Sequence, residues 1–171
     1  MSMHQAATAP AISALMALSG VLAKGAAFAE ARKIDPAILL GSRLRPDMFP
    51  LTRQVQVACD MVKNGCARLA GVSPPAMADT EASFAELQQR IEKTVDYLRS
   101  FAPADIDGSE ERQIVMKVGG KEMRFAGQFY LQQFVMPNLF FHTTTAYLIL
   151  RFNGVDLGKR DFLGPLDAEA S

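Results

Sequence analysis

The amino-acid sequence predicts an all-α fold: a four-helix bundle with a small β-hairpin between its third and fourth helices. Three observations carry that expectation. Apolar residues recur every three or four positions along four long segments, as they do when one face of a helix is buried. Capping residues, prolines and glycines punctuate most of the segment ends. One stretch breaks the helical period: 113–118 and 121–125 are short arms rich in Val, Ile and Met around Gly119-Gly120, a pair that suits a tight hairpin turn.

The first helix is expected over 7–29, with Ile12, Leu15, Leu18, Leu22 and Ala26 on its inner face. Asp35 before Pro36 supplies an N-cap followed by proline at the first helical position, and Gly41 ends the short helix that results. The second long helix is expected over 48–70, its buried stripe running Leu51, Val55, Cys59, Val62, Cys66 and Leu69. Gly71 stops it, and Pro74 and Pro75 enforce the break. Ser83 with Glu86 three residues later reads as a capping box for a third helix over 83–101, with Phe84, Leu87, Ile91, Leu98 and Phe101 inward. The fourth is expected over 127–152, either kinked at Pro137 or split there in two. From 138 to 152 it is apolar almost all round, which predicts the most buried element of the fold. Asn153-Gly154 closes it.

The chain is long enough, at 171 residues and 49% hydrophobic, to build one core without disulfides or metals, and a single domain over 1–171 is expected. Eighteen basic residues balance eighteen acidic ones, so no net field attracts nucleic acid or an anionic membrane, and neither is expected as a partner. The acidic excess within 76–110 reads as the solvated face of one helix. Cys59 and Cys66, seven apart on one helix, stand about 10 Å apart along its axis. That is too far for a disulfide, so both read as reduced core thiols in a cytoplasmic protein. The apolar run over 9–23, with Ala27-Phe28-Ala29 behind it, mimics a secretion signal. No cation precedes it, however, and Ser13, Ser19 and Lys24 interrupt it, so a core helix is the better reading.

Several strings then become recognisable: Arg45-Pro46-Asp47-Met48-Phe49-Pro50-Leu51, Gln54-Val55-Gln56, Pro137-Asn138 through His142-Thr143-Thr144-Thr145-Ala146-Tyr147, Leu150-Arg151, and Gly158-Lys159-Arg160-Asp161-Phe162-Leu163-Gly164. Together they resemble a bacterial domain family of unknown function grouped with the DinB/YfiT-like metalloenzymes. The resemblance implies a metal held by one histidine of the second helix and a pair spaced i, i+4 on the fourth, a spacing that can chelate one ion. It also implies relatives that act as thiol-dependent transferases or isomerases. Carried over, the pair falls on Asn138 and His142, and the remaining ligand within 52–56. Only His142 is a strong ligand, so the sequence implies a degenerate site in which a divalent metal is not firmly held.

His142 is therefore the candidate catalytic residue and the sole candidate metal ligand. Gln54, Gln56, Asn138, Thr145 and Tyr147 are candidate ligand-binding residues around it. Buried imidazole and amide groups must satisfy one another or be satisfied by a bound molecule. Asp47 and Asp60 are the carboxylates that could charge the ring, and Lys159, Arg160 and Asp161 read as a salt-bridged tail folding Phe162 and Leu163 over the bundle. No P-loop, dinucleotide glycine fingerprint, HExxH or paired-cysteine zinc pattern is present. Three readings remain open: a small-molecule binder with a polar pocket at His142, a transferase or isomerase, and a non-catalytic interaction protein. A symmetric homodimer is expected, because the chain holds more apolar side chains than a small bundle can hide.

Overall fold

A computed structural model describes residues 1–165 and shows the expected architecture. Four long helices form the bundle: α1 (Met3–Arg32), α3 (Leu51–Ala70), α4 (Phe84–Arg99) and α7 (Met136–Phe152). The hairpin, β1 (Gln113–Val118) and β2 (Lys121–Ala126), precedes the last of them. Short helices α2 (Pro36–Gly41), α5 (Pro103–Ile106), α6 (Gly127–Tyr130) and α8 (Lys159–Leu163) lie between or after them. The single-domain expectation extends to 171, and 166–171 lie outside the described residues.

Contacts give the helix directions. Ser19 meets Gln88 and His4 meets Phe101, so α1 and α4 are antiparallel. Gln54 meets His142, and Gly65 packs on Val135, so α7 runs antiparallel to α3. Leu18 and Thr143 border one cleft while Gly25 packs on Leu150, so α1 and α7 run together. It follows that α3 and α4 are parallel, and residues 71–83 must travel back along the bundle to join them.

Local chemistry sets the ends. α1 starts four residues earlier than the apolar period suggests, because Ser2 and Gln5 form a reciprocal capping box. The box is legible as Ser-x-x-Gln. The Asp35 carboxylate accepts from the Ala37 amide at 2.9 Å as expected. Ser83 accepts from the Glu86 amide, but the Glu86 carboxylate reaches back to the Ala82 amide rather than to that of the cap itself. Gly71 closes α3 in the left-handed region, φ 75°, where an added Cβ would also strike Arg112. Gly119 and Gly120 both have positive φ, which a tight turn between right-twisted strands requires. The hairpin packs on the bundle through buried Ile114 and through Phe125, whose ring lies 6.0 Å from those of Tyr130 and Phe134.

The inward stripe expected for α3 is buried at every position, and so are Phe84, Leu87, Ile91 and Leu98 of α4. Two expectations are corrected. The fourth helix is neither one kinked α-helix nor two separate ones: α6 runs through a π turn at 131–135 directly into α7. In that turn the Met136 amide bonds five residues back to Leu131, the widened register admits the Pro137 ring, and the Asn138 side-chain amide donates to the Phe134 carbonyl at 2.7 Å. Nor is α7 the most buried element, since Phe141 is 56% and Phe152 79% exposed. A corner helix of a four-helix bundle meets only two neighbours, here α1 and α3, and its third side faces outward whatever its composition.

α1 is long and apolar enough, by length and hydropathy, to cross a membrane. It is nonetheless a helix of this core, with 44% of that stretch buried.

Candidate functional site

The site forms where the N-terminal turn of α3 faces the middle of α7. Gln54, one turn into α3, donates from Nε2 to the Phe49 carbonyl at 3.1 Å. That bond orients the amide, so its Oε1 faces His142 Nδ1 at 2.6 Å. A carbonyl oxygen can only accept, so Nδ1 carries the proton and Nε2 keeps its lone pair. Among the described residues nothing hydrogen-bonds to Nε2. The imidazole is only 7% exposed, with the Phe141 ring edge-on to it at 5.1 Å.

Burial, and then the positive charge of Arg53, hold the His142 pKa below its ordinary value. The ring is therefore neutral at pH 7. It borders a cleft of about 190 Å³ lined also by Asp47, Met48, Phe49, Gln54 and Phe141. Asp47 is the nearer of the two candidate acids, but its carboxylate is exposed and leans toward Arg45 at 3.8 Å. Asp60 is committed elsewhere, as follows.

The remaining candidates are not brought together around His142. Asn138 and Thr145 share the inner side of α7 but direct their polar atoms into their own helix, Asn138 to the Phe134 carbonyl and Thr145 to the Phe141 carbonyl at 2.7 Å. Tyr147 packs edge-on against Phe162, 5.9 Å away, on the side of α7 that faces α8. Gln56 points away from His142 into a charged cluster. The helical period explains the split: two residues on from Gln54 is a 200° turn, so Gln54 and Gln56 cannot share a face.

That cluster was not legible as a unit in the sequence. Arg90 of α4, 3% exposed, donates from Nη1 to Glu81 at 2.9 Å and to the Ala78 carbonyl at 3.1 Å, and from Nη2 to Asp60 at 3.0 Å; Asp79 completes the group as an ion pair 3.0 Å from Nη2. Buried Lys63 also grips Asp60, at 2.9 Å. Gln56 donates to Glu81 at 2.9 Å and accepts from Arg53, which itself pairs with Asp79. Asp79 and Glu81, expected as part of a solvated helix face, instead lie in the returning 71–83 segment and fasten it to α3 and α4. The available signal was a pair of cations, Lys63 and Arg90, each beside a core residue, Val62 and Ile91. Burial alone would raise the Glu81 pKa, but hydrogen bonds from Arg90 and Gln56 outweigh it and hold the carboxyl below its ordinary value.

Neither cysteine forms part of a reactive site. Both thiols are buried, and desolvation pushes each up to about 12. Ellman's reagent should therefore find no reactive thiol in the native protein and two after denaturation; rapid reaction of either in the native state would contradict this placement.

The donor set does not fit a tightly held transition metal. One imidazole nitrogen is available, its neighbour is a carboxamide already hydrogen-bonded to it, and among the described residues no group of three His, Cys, Asp or Glu is arranged to hold a metal ion.

Comparison with known proteins gives a consistent placement. A family described as domain of unknown function DUF1993 matches residues 3–163. The chain is 40% identical to a DinB family member protein from Shewanella denitrificans, whose crystal structure it matches with a TM-score of 0.88 over 98% of this chain and 95% of that one. No curated protein matches.

Proposed function

Given that this chain belongs to the DUF1993 family and has the DinB-like helical fold, we propose that it binds a small molecule at His142 without a firmly held metal. The observation that carries this reading is the pair Gln54–His142. The Phe49 carbonyl orients the amide, the amide fixes the ring as its Nδ1–H tautomer, and the unprotonated Nε2, beside a cleft, has no partner among the described residues. A neutral imidazole placed so can accept a hydrogen bond from an N–H, O–H or S–H group of a ligand. Phe49 and Phe141 flank it and suit a flat or aliphatic body. The test is a thermal-shift screen of small alcohols, thiols and amides against the native protein and His142→Gln. Ligands that stabilise the first and not the second support the reading, and a screen in which the variant responds equally overturns it.

The same acceptor suits a transferase or isomerase reading, in which Nε2 takes a proton from a thiol or an acidic C–H. We place the protein in the cytoplasm, in keeping with two free buried thiols.

A homodimer is also proposed. Phe141, Leu148 and Phe152 are all exposed and, at spacings of seven and four, form one strip along the outer side of α7. A strip of large exposed apolar side chains favours pairing with a second copy about a two-fold axis. Sedimentation at tens of micromolar should give a dimer mass and Leu148→Glu/Phe152→Glu a monomer mass; a monomeric native protein would end this proposal.

A further inference from the structure

A second cleft, on the opposite side of α7 from His142, has a different chemistry. It measures about 260 Å³ and lies between α1, α7 and the short α8. Ala14, Leu18 and Val21 form one wall, Phe140 another, and Phe162 and Leu163 close over it. Among the described residues no ionisable side chain lines it. Its hydroxyls are Thr143, already bonded to carbonyls of its own helix, and Ser13 at the rim, which makes no hydrogen bond among the described residues.

The cover is held by its own fittings. Lys24 pairs with Asp161 at 2.7 Å, the other oxygen of Asp161 accepts from the Gly158 amide at 2.8 Å, and Phe162 rests edge-on against Tyr147. Gly164, at φ 71°, lies close enough to Ala17 that an added Cβ would be 3.1 Å away. Yet α8 buries none of its residues. Phe162 and Leu163 are drawn back onto the bundle, where Phe162 is half-buried against Tyr147 and both border open volume. A segment anchored so firmly to cover a void gains little burial unless something occupies the void.

We propose that this cleft is a binding site for a small, neutral, predominantly apolar molecule, with α8 as its strap. The occupant's chemistry follows from the walls. A charge would be desolvated without a partner, whereas an apolar body fills the space, and one hydroxyl or carbonyl oxygen can reach Ser13. Apolar cavities of about 150 Å³ accept benzene, so this one suits a body of roughly ten heavy atoms, a bicyclic aromatic or a medium alkyl chain. The inference is independent of the His142 reading, because the two clefts share no residue.

The test uses 1-naphthylamine, which is uncharged at pH 7 and whose emission shifts to shorter wavelength in apolar surroundings. The chain has no tryptophan, so the probe is read without that background. Titration of the full chain should show saturable binding, one probe per chain. Ala14→Phe, which fills the cleft, should weaken it at least tenfold. So should Phe162→Ala, which opens the strap and, because Phe162 is only half-buried and outside the core, leaves the bundle folded even where Ala14→Phe does not. His142→Gln should leave it unchanged. The proposal is overturned if binding is unsaturable, if Phe162→Ala binds as the native protein does, if His142→Gln abolishes it, or if the monomeric Leu148→Glu/Phe152→Glu protein loses it. The last result would make an interface between copies the place where the probe binds.

Discussion

Replacing Arg90 with methionine should lower the thermal midpoint by roughly 10 °C, the largest effect expected of any substitution discussed here. The guanidinium is 2% exposed and meets three carboxylates, of which Glu81 is 12% and Asp60 22% exposed. Removing one partner of a buried ion pair costs about 3–5 kcal/mol, because the other is left charged and desolvated. For a chain of this size each 1 kcal/mol shifts the midpoint by about 2–4 °C. Adding Glu81→Gln to Arg90→Met should restore part of the loss, since the stranded charge is then gone. The cluster also sets an acid limb. Because Glu81 has a folded pKa below its unfolded one, its contribution is present above the unfolded value and is lost as pH falls through the folded value. Arg90→Met should flatten that limb and expose the 71–83 segment to proteolysis. Midpoints within 2 °C of one another, with identical acid limbs, would show that the cluster only decorates the surface.

His142→Gln should keep the fold and weaken ligand binding at least tenfold. Glutamine can still hydrogen-bond to Gln54 and roughly fills the space, so the stability cost should be about 1 kcal/mol. It cannot present the ring's lone pair at the same point. The pH dependence separates this from simple repacking. The folded pKa of His142 lies below its unfolded value, so the unfolded chain binds the extra proton first, and stability is complete above the unfolded value near 6.5 and declines as pH falls from there toward the folded value. Binding by a lone-pair acceptor is lost as pH falls through the folded value itself, where Nε2 becomes protonated. Gln54→Glu should move that loss to higher pH, since a carboxylate beside Nδ1 favours the charged ring. Binding that ignores pH between 5 and 8 in Gln54→Glu would exclude Nε2 as the acceptor.

Much of the fold could be read from local chemistry. The stripe Leu51, Val55, Cys59, Val62, Cys66 and Leu69 is buried throughout because a helix has one period, and the Gly119-Gly120 turn formed because few residues besides glycine enter that backbone region readily. His142 could be placed inside, with Gln54 among the candidates around it, because a buried imidazole needs a partner; that the partner is Gln54 rather than Asn138 or a bound molecule is seen only in the structure. Gln56, Asn138, Thr145 and Tyr147 were grouped with it as candidates, but Asn138 and Thr145 bond carbonyls of their own helix, Gln56 meets Glu81 and Tyr147 packs on Phe162. Whether Asn138 and Thr145 serve a site or their own helix depends on which backbone carbonyls lie free, and the π turn before Pro137 decides that for Asn138.

By itself the sequence determined the helices, their caps, the hairpin and the buried stripes, all consequences of residues within a few positions of one another. Only the tertiary structure decided that Asp79 and Glu81 close over Arg90, that the outer side of α7 stays uncovered, and that Phe162 and Leu163 span a cleft against α1. These depend on how helices far apart in the chain are arranged, and in particular on α3 and α4 lying parallel. That arrangement sends the 71–83 segment back along the bundle and gives buried Arg90 carboxylates that no local pattern could have assigned to it.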